Sequence, residues 1–365
     1  MVTNVVIMST LLTDYGTLWF FSQLPIYVSH HRLSILSRSV THFLRPFGLH
    51  VRSLLGCLYK PSRFIFTNMK LVKVLDLSTE WWQETKIDKL DLLRFLRASS
   101  MPSSTERCIN LEYLFMETTI NGQLQNMILK MVKLRYVHFE GEVNWYKRET
   151  IHGSFQNTNL EALSTFIIAD ENDMKFLRCS PFLRRLKCLL ASELNPSKPY
   201  YYPTLNFLNH LESLSIIFSA CGIISNLISL PLTLRKLTLT YFKLNSKEMK
   251  MIGELPKLEV LKLESSGIED YEWNPNEDEF QQLRFLKLGY MGVQLNVSSD
   301  HFPRLEQLVL TQFRTSIPSS LGYIPTLVKI EVRWCEKQVE ESASEIQEEQ
   351  KEYGNELLKV IIISS

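Results

Sequence analysis

The chain has almost no imbalance of charge: 40 Lys and Arg stand against 39 Asp and Glu in 365 residues, a formal net charge of +1. Such a balance exerts no long-range pull on a polyanion, so nucleic acid is not an expected partner. Paired cysteines are absent too. Cys57, Cys108, Cys179, Cys188, Cys221 and Cys335 never form a C-x-x-C pair, which argues against a zinc module or compact disulfide framework and for a reducing, cytoplasmic setting. Long hydrophobic runs are missing from the first residues. Asp14 divides that apolar stretch, neither side reaches the roughly eighteen residues of a membrane span, and no basic segment precedes it as in a signal peptide. No stable membrane insertion is expected.

Glycine is scarce, at 13 residues, and no Gly-Lys dipeptide occurs, which removes the phosphate-cradling loop G-x-x-x-x-G-K-[ST]. Neither H-E-x-x-H nor G-x-S-x-G is present, and the adjacent His30-His31 has no Cys or acid nearby to complete a metal site. The expectation is a chain with no catalytic residues, no cofactor and no metal.

What is abundant is leucine in a fixed phrase. LRKLTL starts at Leu234, LEVLKL at Leu258, LRFLKL at Leu283 and LEQLVL at Leu305, at steps of 24, 25 and 22 residues. Allowing any aliphatic residue adds VKVLDL from Val72, LEYLFM from Leu111, LRYVHF from Leu134, LESLSI from Leu211, LVKIEV from Leu327 and LKVIII from Leu358. Weaker members start at Val51, Leu93, Leu160 and Leu183. This is the period of a leucine-rich repeat, in which each unit supplies a short strand and a return segment and buries its apolar face only against its neighbours.

The fourth and sixth positions of each hexapeptide should point inward and the third, fifth and seventh outward. The expected fold is α/β, a leucine-rich-repeat solenoid or horseshoe. A continuous parallel sheet would line its concave face, with irregular or short helical convex segments behind. Residues 51–335 carry the repeats, 1–31 read as an unassigned apolar leader and 32–50 as a basic linker. Residues 336–365 read as an acidic capping helix, with Val339, Ala343, Ile346 and Tyr353 on its apolar stripe, over the last open strand edge, followed by a terminal strand.

Strands about 4.8 Å apart place outward side chains of equal position in columns. In the early repeats the third position holds Phe95, Tyr113 and Tyr136 and the fifth Arg97, Phe115 and His138, an aromatic ladder flanked by positive groups. Aromatic residues and Arg are the usual interface anchors, although aromatics also favour strands for their own sake. Later columns hold Lys236, Lys262, Phe285 and Lys287, a mixed, mainly basic face suited to an acidic partner. Between Tyr15 and Leu75 there are eight Lys and Arg and no acid. That basic end is either a docking surface for an acidic domain or anionic membrane or simply a solvated face.

Several stretches read together carry a resemblance: HRLSILSRSVTHFLRPFGLHVRSLL (31–55), LVKVLDL (71–77), LRKLTLTYFKL (234–244), MIGELPKLEVLKLE (251–264), SSDHFPRLEQLVL (298–310), IPSSLGYIPTLVKIEV (317–332) and EIQEEQKEYGNELLKVII (345–362). Over about residues 31–365 the chain resembles the repeat region of plant NB-LRR disease-resistance proteins of the solanaceous late-blight-resistance type. The resemblance implies an intracellular recognition module whose partner is a protein: a pathogen effector, a guarded host protein, or the switch domain of a related receptor. The coiled-coil and nucleotide-binding regions of that family have no counterpart here, so ATP binding and autonomous signalling are not implied. Alternatives are a scaffold or substrate adaptor outside defence, for which the first fifty residues show no F-box-like leader, and a nonfunctional receptor fragment.

Overall fold

The structure, a computed structural model, describes residues 5–7, 32–35, 52–56, 70–77, 87, 89–99, 105–117, 124–140, 157–190, 203–218, 229–268 and 271–364, of which 5–7, 32–35, 54–56, 106 and 124–126 by backbone alone. The chain divides into two compact units, Met1–Ala162 and Leu163–Ser365.

In the first unit the strands follow chain order: β1 (Val5–Ile7), β2 (Arg32–Ile35), β3 (Ser53–Gly56), β4 (Val74–Leu77), β5 (Phe95–Ala98), β6 (Tyr113–Met116) and β7 (Tyr136–Phe139). Each pairs with the next in parallel, with third positions opposite one another: Val74, Phe95, Tyr113 and Tyr136 lie in one row. A parallel pair needs a long crossover, and the residues between hexapeptides supply it. Leu75, Leu96, Leu114 and Val137 at the fourth position, and Leu77, Ala98, Met116 and Phe139 at the sixth, are buried. Removing each larger aliphatic side chain from water stabilises the stack by about 1.5–3 kcal/mol. The return segment before β7 is the helix α1 (Leu124–Lys130).

Two of these strands fall where none was expected. Val5–Ile7 lies within the anticipated leader and Arg32–Ile35 within the anticipated linker, yet they pair, Val5 opposite Leu33 and Ile7 opposite Ile35. Strand addition needs free backbone groups at a parallel edge and an extended segment, not a leading leucine, so a hexapeptide search passes over them. His30-His31, Arg38, Arg45, Lys60, Arg63, Cys57 and Cys221 lie outside the described residues.

The second unit continues the pattern with β8 (Ala162–Ile168), β9 (Arg185–Leu190), β10 (Ser213–Phe218), β11 (Lys236–Thr240) and the short β12 (Lys243–Leu244). Then come β13 (Val260–Glu264), β14 (Gly267–Ile268), β15 (Glu272–Trp273), β16 (Phe285–Gly289), β17 (Gln294–Leu295), β18 (Gln307–Thr311), β19 (Lys329–Arg333) and β20 (Lys359–Ile363). The main sheet runs β8-β9-β10-β11-β13-β16-β18-β19-β20, while β12 pairs with β14 and β15 with β17. First-position Leu234, Leu258, Leu283, Leu305 and Leu327 are all buried at 3% exposure or less, so the repeat phase inferred from sequence holds.

Return segments differ from repeat to repeat. Helix α2 (Glu171–Arg178) starts on a capping box in which Asp170 accepts from the Asp173 amide while Asp173 accepts from the Asp170 amide. Helix α3 (Ser246–Gly253) has the same device from Asn245 and Glu248. Both boxes satisfy amides that a helix start leaves unpaired. Behind β16 and β18, Trp273, Phe280 and Phe302 form a buried aromatic cluster with centroids 5.4–5.6 Å apart.

The acidic segment forms helix α4 (Lys337–Glu352), burying Val339, Ala343, Ile346 and Gln350. Tyr353 is not on that buried face; it caps the helix and is 72% exposed. Nor does the helix cover the strand edge. It is a return segment leading to β20, which pairs with β19 and ends the sheet. A helix has already used its own backbone groups and cannot pair a strand edge, whereas another strand can. The last hexapeptide also shifts by one residue. Lys359 lies opposite Lys329, so Leu357 rather than Leu358 holds the first position, and Val360 and Ile362 hold the fourth and sixth.

One backbone feature recurs in the second unit. The residue following each of β11, β13, β16, β18 and β19 has positive φ: Tyr241 64°, Ser265 48°, Tyr290 56°, Gln312 46° and Trp334 51°. Each donates its N–H to the last residue of the next strand, to the carbonyls of Glu264, Gly289, Thr311, Arg333 and Ile363 at 2.7–3.1 Å.

Candidate functional site

The outward positions of β5, β6 and β7 form two adjacent columns. Because third positions are in register, Phe95, Tyr113 and Tyr136 meet ring to ring: Tyr113 and Tyr136 stack at 4.6 Å with 7° between planes, and Phe95 tilts onto Tyr113 at 6.2 Å. One pleat further on, Phe115 stacks on His138 at 4.6 Å and Arg97 lies 4.7 Å above the Phe115 ring. The six early residues singled out from sequence therefore make one surface. Each ring contact adds about 0.5–1.5 kcal/mol beyond area burial, which holds the rings in fixed positions while Tyr113 remains 39% exposed.

Polar groups frame the ladder. The Tyr136 hydroxyl donates to Glu161 at 2.8 Å, and that hydrogen bond, with burial, raises the phenol above its usual range, so it stays a neutral donor. Arg135 holds the same carboxylate, its Nε donating to Oε1 at 2.9 Å. The positive groups expected beside the ladder are largely neutralised: Arg97 pairs with Glu117 at 3.1 Å and reaches Glu140 at 4.0 Å. Among the described residues, Asp76 Oδ1 and Arg97 Nε, opposite each other on β4 and β5, are buried without a hydrogen-bond partner. A buried polar atom left unpaired costs about 1–3 kcal/mol, so this pair is a local loss of stability beneath the ladder.

In the second unit Lys262 and Lys287 face each other on β13 and β16, but they are not a free basic patch. Lys287 is tied to Glu264 at 2.6 Å, and Lys262 lies 5.5 Å from the centre of the Phe285 ring. Lys236 is exposed and has no carboxylate partner among the described residues. Further along, Lys329 and Arg333 both clasp the buried Glu331. Glu264 sits at a seventh position and Glu331 at a fifth, so counting lysines in their own columns overstates the charge of this face.

A regular feature lies at the second hexapeptide position, which the leucine phrase leaves undefined. From Leu93 to Leu305 it reads Arg94, Glu112, Arg135, Glu161, Arg184, Glu212, Arg235, Glu259, Arg284, Glu306, alternating without exception. Within the units each Arg reaches the Glu of the next strand, Arg94–Glu112 and Arg235–Glu259 at 2.5 Å, Arg284–Glu306 at 3.2 Å, Arg184–Glu212 at 3.4 Å and Arg135–Glu161 as above. These pairs are exposed, so each contributes at most about 1 kcal/mol. Reading the hexapeptides as columns rather than rows reveals them in the sequence.

Repeated parallel strands, inward leucines and open outward columns all match the description "Leucine-rich repeat region" of the family model that covers residues 207–356. The chain carries a leucine-rich-repeat region. It is 35% identical over 313 residues to a putative late blight resistance protein homolog of Solanum demissum, covering 82% of this chain and 24% of that protein. A late blight resistance protein of the same plant is 34% identical over 315 residues, again with 82% and 24% coverage. The chain thus spans about a quarter of the length of these relatives. Among solved structures, the functional domain of InlJ from Listeria monocytogenes aligns with TM-score 0.48 and 13% identity, covering 83% of this chain and 68% of that one. Among the described residues of the repeat region, no helix is long and apolar enough to cross a membrane. Nor do three His, Cys, Asp or Glu side chains gather there as metal ligands would.

Proposed function

We propose that this chain is a protein-binding recognition module in plant defence, whose open aromatic columns dock a protein partner rather than transform a substrate. The observation that carries the reading is the stack of Phe95, Tyr113 and Tyr136 beside Phe115 and His138. It is a rigid, half-exposed aromatic surface, and aromatic anchors dominate the energy of protein interfaces. The similarity to segments of late blight resistance proteins supports the defence setting. On this reading the partner is a pathogen effector, a guarded host protein, or the switch domain of a related receptor, met in the cytoplasm. The residues that carry binding are Phe95, Arg97, Tyr113, Phe115, Tyr136 and His138, with Lys236, Lys262, Phe285 and Lys287 as a second patch.

The test places a photo-crosslinking amino acid at position 113 and, in a separate protein, at Lys175 on α2. Both are expressed in leaf tissue and their adducts identified by mass spectrometry. A discrete adduct from position 113 that disappears when Phe115 and His138 are changed to Ala, and that position 175 never forms, is the expected result. Equal, diffuse labelling from both positions would remove the ladder as a binding surface.

A further inference from the structure

In the second unit a row of side chains stands at the C-terminal ends of the strands, away from the third- and fifth-position columns. Its members are the positive-φ residues Tyr241, Ser265, Tyr290, Gln312 and Trp334, on consecutive repeats. Left-handed backbone suits glycine or asparagine, and bulky residues adopt it only where the surroundings enforce it. Here the enforcing contact is the backbone ladder to the next strand, which any residue type could make. The rings themselves are not what fills the core: Tyr241, Tyr290 and Trp334 are 49%, 55% and 47% exposed. Three large aromatics thus occupy backbone positions that disfavour them without being buried in return, and strain kept in this way marks functional surfaces.

The order within the row is regular. Aromatic rings come at every second repeat, and Ser265 and Gln312, at the repeats between, have no side-chain hydrogen bond among the described residues. With strands about 4.8 Å apart, successive rings are about 9.6 Å apart and the whole row spans about 19 Å. A polyproline II helix has three residues per turn and rises 3.1 Å per residue, so the same face returns about every 9.3 Å. Its carbonyls make no internal hydrogen bonds and are free to accept them from a hydroxyl or amide donor. None of the five residues is charged, which matches an uncharged ligand. Proline-rich segments are bound elsewhere by aromatic-lined grooves through this same complementarity of ring spacing and preformed helix.

We propose that the row Tyr241–Ser265–Tyr290–Gln312–Trp334 is a docking track for a proline-rich segment in polyproline II conformation, with prolines at every third position seated against the three rings. About seven residues fill the track. The surface is separate from the aromatic ladder of the first unit, so failure of either leaves the other standing.

The experiment titrates the full chain with a blocked nonaproline peptide, and with a Gly-Ser peptide of equal length, by isothermal calorimetry and intrinsic fluorescence. Saturable binding of the proline peptide alone is expected, changing less than about threefold between low and high salt, as the uncharged track requires. The variant with Tyr290→Asn and Trp334→Asn should bind at least about tenfold more weakly while its melting temperature stays the same or rises, because Asn tolerates positive φ. No saturable binding, undiminished binding by the variant, or a fall in melting temperature showing the rings to be structural would each overturn the proposal. So would self-association of the wild type that the variant abolishes, since the row would then meet a second copy of the chain.

Discussion

Replacing Glu331 with Gln probes a carboxylate that the second unit holds buried between two cations. Its side chain is 7% exposed; Lys329 Nζ lies 2.7 Å from one oxygen and Arg333 grips the other. Across the sheet its neighbours are Val309 and Ile361, which offer no hydrogen bond. The Lys329 hydrogen bond, followed by those from Arg333, holds the carboxyl below its ordinary range even though burial pushes it up. Glutamine keeps the volume but removes the charge, leaving two ammonium-type groups side by side. A hydrogen bond to a charged group contributes about 1.5–3 kcal/mol. Lys329 and Arg333 are one-third or more exposed, and that solvent access discounts both bonds. The expected net loss is about 2 kcal/mol. Because the folded value lies below that of the unfolded chain, the stabilisation is fully present above about pH 4.3 and disappears as the pH falls through the folded value. Urea unfolding followed by circular dichroism should therefore show a lower midpoint for E331Q at pH 7 and a narrowing gap to wild type below about pH 4. A gap that is absent at pH 7, or unchanged at pH 3, would refute this account of the triad.

Gly253→Ala should destabilise the chain by about 1–3 kcal/mol, since its new Cβ would lie 2.8 Å from Glu279 Cβ and 2.9 Å from Phe280 Cε2. Gly267→Ala, with nothing within 4 Å, should leave the thermal midpoint unchanged or slightly raised, and a comparable loss in both would show that crowding is not the cause. Cys188 is buried and burial pushes its thiol far up, so alkylation at pH 8 should reach it only after denaturant is added. Peptide mapping that finds Cys188 modified in the native protein as fast as the half-buried Cys179 would contradict the packing of β9.

How much of this was legible beforehand depends on how far each signal outran its competitors. Leu234, Leu258, Leu283 and Leu305 phase their repeats without ambiguity because the residues between the leucines are polar or outward-facing. Residues 357–363 read Leu-Leu-Lys-Val-Ile-Ile-Ile, a run that satisfies the phrase in two registers, and only pairing with Lys329 decides between them. The Tyr353 misplacement has a similar origin: the stripe Val339, Ala343, Ile346, Tyr353, at spacings of 4, 3 and 7, continues on paper, while the helix ends at Glu352. Stacking of Tyr113 on Tyr136 followed from counting positions, because in-register strands leave little freedom. Neutralisation of Lys287 by Glu264 did not, because that contact is diagonal, between a fifth and a seventh position of neighbouring strands. The left-handed row was invisible, since Tyr and Trp are residues that sequence rules do not place at positive φ.

The alternation of Arg and Glu at the second hexapeptide position bears on how such an array can change its length. Each repeat carries one charge at this position, and its sign alternates along the array, so the order of repeats has a parity. Losing a single repeat from the middle would set Arg beside Arg or Glu beside Glu, whereas losing or duplicating two at once would restore every pair. Insertions and deletions that keep the series intact are therefore those of even number, and the chain behaves in this respect as a polymer of repeat pairs.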